Sequence, residues 1–183
     1  MSKILCPFSI FINIVCYTSP YITNLEDSSM SENLDRIDVS LLRLLQKNGR
    51  MANAELAQEA NISAATCHRR VQRLMTEGYV RDVRAQLEPA ELGFGTLALV
   101  GVVLDRSTPD SFGLFEQAVH NIRTILDCYL VAGDFDYFLK IRVKDMADFN
   151  RFHASRLIAL PGVRQTRTFF VMKEGVDGRP LPL

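Results

Sequence analysis

The chain has 183 residues, 48% of them hydrophobic and 23% charged, with 21 basic and 21 acidic side chains and no net charge. This length suits two small domains that each bury a core, and the composition excludes wholesale disorder. Four cysteines, Cys6, Cys16, Cys67 and Cys128, show no C-x-x-C pairing and no histidine at ligand spacing, which argues against a disulfide framework or a zinc site. Cys67 and Cys128 read as small buried apolar residues, and no metal or other cofactor is indicated.

The apolar run from Ile4 to Tyr17 is too short to span a bilayer, and its weakly basic start with Lys3 and the lack of an A-x-A-like cleavage site argue against an export signal. Residues 1–33 are expected to be a non-native or disordered extension, with Met30 as the natural start; a cytoplasmic location with no membrane partner follows.

A first helix is signalled by Asp35 as N-cap with Asp38 three residues on, by Ile37, Leu41, Leu44 and Leu45 at helical spacing, and by a stop at Asn48-Gly49. A second begins near Asn53 and buries Leu56, Ala57 and Ala60; after the turn Asn61-Ile62-Ser63, a third is capped by Ser63 and ends at Gly78. On the third helix Cys67, Val71 and Leu74 form a docking stripe, and Thr66, Arg69, Arg70 and Arg73 form a second stripe that is presented outward. The alternation from Val80 to Leu87 predicts short wing strands.

Beyond Pro89 and Gly93 the periods change. They predict a strand at 96–104, a helix at 109–120, strands at 125–132 and 135–143, a helix at 145–160 and a strand at 163–172. The fold class is therefore α+β: a winged helix-turn-helix at 34–90, a linker at 91–95, a ferredoxin-like βαββαβ domain at 96–174 and a tail at 175–183. Both helices of that domain cover one face of the sheet. The strand LALVGVV is apolar on its other face too, which predicts dimerisation through the sheet.

Residues 34–90 carry nine Lys/Arg against seven Asp/Glu, while 91–183 carry eleven of each, so the positive surplus sits with the paired helices. From Ile62 to Thr76 no acidic residue occurs. A helix fits the major groove and guanidinium groups bond guanine edges or phosphates, so DNA contact is expected from Asn53, Ser63, Ala64, Ala65, Thr66, His68, Arg69, Arg70 and Arg73. The competing reading is a solvated cationic face. The second constellation, Gly133-Asp134-Phe135-Asp136, is first of all hairpin-turn chemistry. Alternation places Phe135, Tyr137, Leu139 and Ile141 on one face and Asp136, Phe138, Lys140 and Arg142 on the other. Asp136 there suits either a ligand ammonium or an ion pair with Lys140 or with a neighbouring subunit. An enzyme is not indicated: His68, His120 and His153 are isolated, and neither a nucleophile motif nor a phosphate-cradling loop occurs.

The segments LDRIDVSLLRLLQKNGR, ELAQEANIS, LVAGDFDYFLKIRVKDM and LPGVRQTRTFFVM resemble the Lrp/AsnC family of prokaryotic transcription regulators. The resemblance covers nearly everything after Met30. It implies a free amino acid as effector, leucine first and methionine second, and assembly into dimers and octamers. It assigns Gly133, Asp134 and Asp136 to the effector site, with Leu130, Met146, Phe169 and Val171 as pocket or interface walls. The short tail GVDGRPLPL departs from the family pattern. The expected function is an amino-acid-responsive, homo-oligomeric regulator that binds double-stranded promoter DNA; the alternative is a small-molecule sensor that acts through a protein partner.

Overall fold

The computed structural model describes residues 33–105 and 110–183. The expected extension before Asn33, the Met30 start, Cys6 and Cys16 lie outside the described residues. The chain divides into two units. The described part of the first is 33–83 together with Pro180–Leu183, and the second is Arg84–Arg179.

In the first unit α1 (Arg36–Lys47) starts where expected, because Asp35 and Asp38 cap reciprocally: Asp38 N–H donates to Asp35 Oδ1 at 2.8 Å and Asp35 N–H to Asp38 Oδ2 at 3.2 Å. Helix α2 (Asn53–Glu59) is followed by Asn61 in the left-handed region at φ +53°, which turns the chain so that Ile62 N–H reaches Ala57 O at 2.9 Å. The side chain of Ser63 then caps α3 (Ala64–Thr76) by accepting Thr66 N–H at 3.2 Å. Leu41, Leu42, Leu56, Ala57, Cys67 and Leu74 interlock as the core of this unit. The last residues of the chain lie on the outer side of α1, where Arg43 Nε donates to Leu183 O at 2.8 Å and Gln46 Oε1 accepts Leu181 N–H at 2.7 Å.

The wing strands expected over Val80–Leu87 are not formed. Residues 81–88 are irregular and exposed, and Val83 N–H turns to Asp82 Oδ1 at 2.7 Å. Alternation creates a strand only where a second strand offers a ladder, and among the described residues none pairs with this segment.

In the second unit β1 (Thr96–Leu104), β2 (Ile125–Leu130), β3 (Tyr137–Val143) and β4 (Val163–Phe170) form a four-stranded antiparallel sheet in the order β2-β3-β1-β4. With α4 (Ser111–His120) and α5 (Met146–Phe152) this is the expected βαββαβ topology. Ala98, Val100, Val102 and Leu104 alternate with Tyr137, Leu139, Ile141 and Val143 to fill one face, covered by Phe115 and Val119 of α4 and by Phe149 and Phe152 of α5. The second helix is shorter than its apolar pattern, because its backbone loosens into a π-helical turn at His153–Leu157.

The opposite face carries Leu99, Phe138 and Phe169. Phe135 also lies there, against Phe138 and Phe169, with ring centroids 5.2 and 6.4 Å apart. This corrects the alternation, which put Phe135 beside Tyr137. Strand β3 begins only at Tyr137, so strict two-residue periodicity does not extend back through the turn. Gly101 makes room for the ring: a Cβ there would come within 2.7 Å of Phe135 Cδ1. Cys128, expected to be buried, is exposed on edge strand β2, whereas Cys67 is fully buried.

Candidate functional site

The DNA-facing candidates separate into an exposed set and a tethered set. Ser63, Ala64, Ala65, His68 and Arg69 are exposed, and Thr66 is partly covered, its hydroxyl accepting from Ser63 Oγ at 2.9 Å. Asn53 spends its amide N–H on Ala64 O at 3.0 Å, which stitches α2 to the first turn of α3.

Arg70 and Arg73 are not freely presented. Arg70 Nη1 donates to Asp35 Oδ2 at 2.7 Å and to Asp38 Oδ1 at 2.9 Å, while Arg73 Nη2 donates to Asp38 Oδ2 at 2.6 Å. The Asp38 side chain is only 1% exposed and Arg70 21%. The outward stripe expected from helical projection is therefore corrected at these two positions: the positive charge there is answered by α1. Helical projection resolves the faces of one helix and is blind to charges on its neighbour. The Asp38 backbone N–H first, then the Arg70 guanidinium, hold the Asp35 carboxyl below the usual carboxylate range. Asp38 and then Asp35 raise Arg70 in turn. Sequence reasoning missed Asp38 as a clamp; its place in the capping box was the visible part of its role.

In the second unit a cavity of about 380 Å³ brings Gly133, Asp134 and Asp136 together with Val103, Leu104, Asp105 and Arg164. Asp136 is 4% exposed, and its Oδ2 accepts Leu104 N–H at 2.8 Å while its own N–H donates to Val102 O at 2.9 Å. Gly133 sits at φ +143°, a conformation that L side chains rarely adopt, so the turn requires glycine there. The other effector candidates lie elsewhere in the chain. Leu130 is paired with Tyr137 on the edge strand, and Met146 opens α5 half-exposed. Phe169 belongs to the aromatic face. Val171 donates to Leu97 O, at the end of β1 remote from Leu104. Asp105 and Arg164 line the cavity without having been expected.

A helix-turn-helix unit joined to a βαββαβ unit with a mixed-charge cavity defines a DNA-binding regulator with a small-molecule domain. Residues 34–81 match the family model for winged helix-turn-helix DNA-binding, and residues 97–181 match that for the Lrp/AsnC ligand binding domain. Leucine-responsive regulatory proteins of Escherichia coli (strain K12) and Klebsiella pneumoniae are 43% identical over 143 residues, 78% of this chain and 87% of theirs. Among solved structures, a transcriptional regulator from Neisseria meningitidis in complex with L-methionine superposes with a TM-score of 0.77 at 32% identity, covering 81% of this chain and 96% of its own. The leucine response regulatory protein of Mycobacterium tuberculosis gives 0.72 at 30%, covering 81% and 99%. The chain belongs to the Lrp/AsnC family. It is a DNA-binding transcription regulator with an amino-acid-binding domain, from a family of regulators rather than enzymes. Among the described residues no helix is long and apolar enough to cross a membrane.

Proposed function

We propose that this regulator reads promoter DNA with the first turns of α3 and that free leucine, with methionine second, controls that binding from the cytoplasm. The observation that carries this reading is the anchoring of α3 from behind. Arg70 and Arg73 fix the helix to Asp38, and Ser63, Ala64, Ala65, His68 and Arg69 remain on its outer surface. A helix held rigidly by its rear face presents its N-terminal residues to base edges at low conformational cost. Arg69 supplies the phosphate or guanine contact, and Arg73, 40% exposed, keeps a partial route to the backbone.

Support for leucine comes from relatives named leucine-responsive, and support for methionine from the Neisseria complex. The open sheet face of Leu99, Phe135, Phe138 and Phe169 suits burial against a second copy, and dimers assembling further into octamers would bring Leu130, Met146, Phe169 and Val171 to contacts between copies. An effector that favours one assembly changes how many α3 helices engage DNA together.

The test is a gel-shift assay with the fragment upstream of the protein's own gene, titrated with each amino acid. Retardation is expected to exceed that of a scrambled fragment and to respond to leucine at lower concentration than to methionine. Equal retardation of both fragments would sink the DNA reading, and indifference to every amino acid would sink the effector reading.

A further inference from the structure

Strand β3 turns Phe138, Lys140 and Arg142 to the open side of the sheet, in alternation with the buried Leu139, Ile141 and Val143. The two ends of that side differ. Phe135, Phe138, Phe169 and Leu99 form the apolar part, whereas Arg142 is only 11% exposed, because the chain folds back over it after β4. Arg142 Nη2 donates to Glu174 Oε1 at 2.6 Å and to Oε2 at 2.7 Å, and Asp177 Oδ1 stands 3.8 Å from Lys140 Nζ. Residues 172–178 therefore cross β1 to reach β3 as a strap held by charge.

The strap turns its acids to its own sheet and its apolar side chains to water, with Met172 95% exposed and Val176 exposed as well. A second copy seated on the open side covers both. It also takes Arg142 out of water, and a desolvated guanidinium must keep an acid beside it. Two-fold symmetry supplies one, since the contact that a strap makes to its own sheet can be made by the strap of the other copy. Reach permits the exchange. Val171 is still tied to β1, its N–H donating to Leu97 O at 2.9 Å, and the three residues from there to Glu174 span about 10 Å when extended. Stacked sheets pack about 10 Å apart.

We propose that residues 172–178 are exchanged between two copies of the chain, Glu174 and Asp177 of each answering Arg142 and Lys140 of the other. This rests on the self-association through the sheet face proposed above and specifies what holds it. The ion pairs of the closed chain are re-formed between chains, and the cover gained by Met172 and Val176 favours the exchanged form.

The experiment mixes two charge-reversed proteins, Arg142→Glu and Glu174→Arg, and follows assembly of the full chains by sedimentation velocity and native mass spectrometry. Salt at about 0.3 M screens attraction beyond the contacting pair. Each variant alone sets like charges together and is expected to dimerise at least about tenfold more weakly than the native protein. Mixed in equal amounts, the two should form a heterodimer of native-like affinity, because each strap then meets the opposite charge on the other chain. Should a reversal unfold the chain, Arg142→Gln mixed with Glu174→Gln repeats the design, and that mixture should recover one pair of the two. A mixture no tighter than its components, or native dimerisation by either variant alone, would overturn the exchange and leave the dimer in place. A native protein that sediments as a monomer would overturn the sheet-face reading with it.

Discussion

Asp38 of α1 and Arg73 of α3 meet at 2.6 Å, and the same carboxylate takes Arg70 on its other oxygen at 2.9 Å. One nearly buried acid thus holds two arginines of α3. The Nε atoms of both arginines are buried without a hydrogen-bond partner among the described residues, and if Asp38 is lost only the exposed Asp35, at 2.7 Å from Arg70, and Glu77, at 3.9 Å from Arg73, remain to answer their charge.

Asp38→Ala should therefore unfold the DNA-binding unit first. Breaking a fully buried pair costs roughly 3–5 kcal/mol, and with Arg73 at 40% exposure a loss of about 2–3 kcal/mol is expected. Urea unfolding measures it. A loss below about 1 kcal/mol would mean that solvent already screens the pair.

Arg69 and Arg70 are neighbours with opposite expected phenotypes. Arg69→Ala should weaken DNA binding and reduce the slope of log affinity against log salt by about one. Arg70→Ala should leave the slope close to native while lowering stability. A reduced slope in Arg70→Ala, measured by fluorescence anisotropy, would show that its guanidinium leaves Asp38 for phosphate.

Asp136→Ala removes the acceptor of Leu104 N–H as well as a charge in the cavity. A stability loss of about 1–3 kcal/mol is expected alongside any lost effector response. Asp136→Asn keeps an acceptor and should melt closer to native, which makes it the variant for separating response from fold. Equal melting of the two variants would contradict the structural role of that hydrogen bond.

Gly101→Ala would drive a methyl into the Phe135 ring, 2.7 Å from Cδ1. Displacing the ring from Phe138 and Phe169 should cost about 1–3 kcal/mol and loosen self-association through that face. Sedimentation velocity should show a shift toward smaller species, and unchanged sedimentation would move the contact between copies elsewhere.

Acid should loosen the structure from a defined side. The carboxyls of Asp35 and Asp148 are held below the ordinary value of 3.8, Asp35 first by the Asp38 backbone N–H and Asp148 first by that of Lys144. A depressed folded-state value means that the stabilisation is complete above the ordinary value and fades as pH falls through the lowered one. Urea midpoints should stay level with respect to these two groups from neutrality down to mild acid and then fall. Asp35→Asn should flatten part of that acid limb, and an unaltered limb would assign it to other groups.

Local rules made much of this legible. The Asp35–Asp38 box, the Ser63 cap and the change from helical to two-residue periodicity each act within a few residues, and each is where the sequence placed it. What escaped depends on distant partners. Arg70 and Asp38 are 32 positions apart, the Val80–Leu87 alternation has no ladder to join, and Phe135 takes its face from the space above Gly101. Arg164 was invisible for the same reason, since a bulge is defined by the register between two strands. Of the residues expected at the effector site, Gly133, Asp134 and Asp136 share a cavity because they share a turn, whereas Leu130, Met146, Phe169 and Val171 are spread along the sheet and at the start of α5.

The docking of Leu181 and Leu183 on Arg43 and Gln46 has a practical side. A fluorophore or affinity tag fused after Leu183 would sit on the first helix of the DNA-binding unit and report on it, even though the residues that lead to it belong to the sheet unit. A bulky tag there would also crowd the Leu183 carbonyl that Arg43 holds, so DNA-binding measurements are better made on untagged protein.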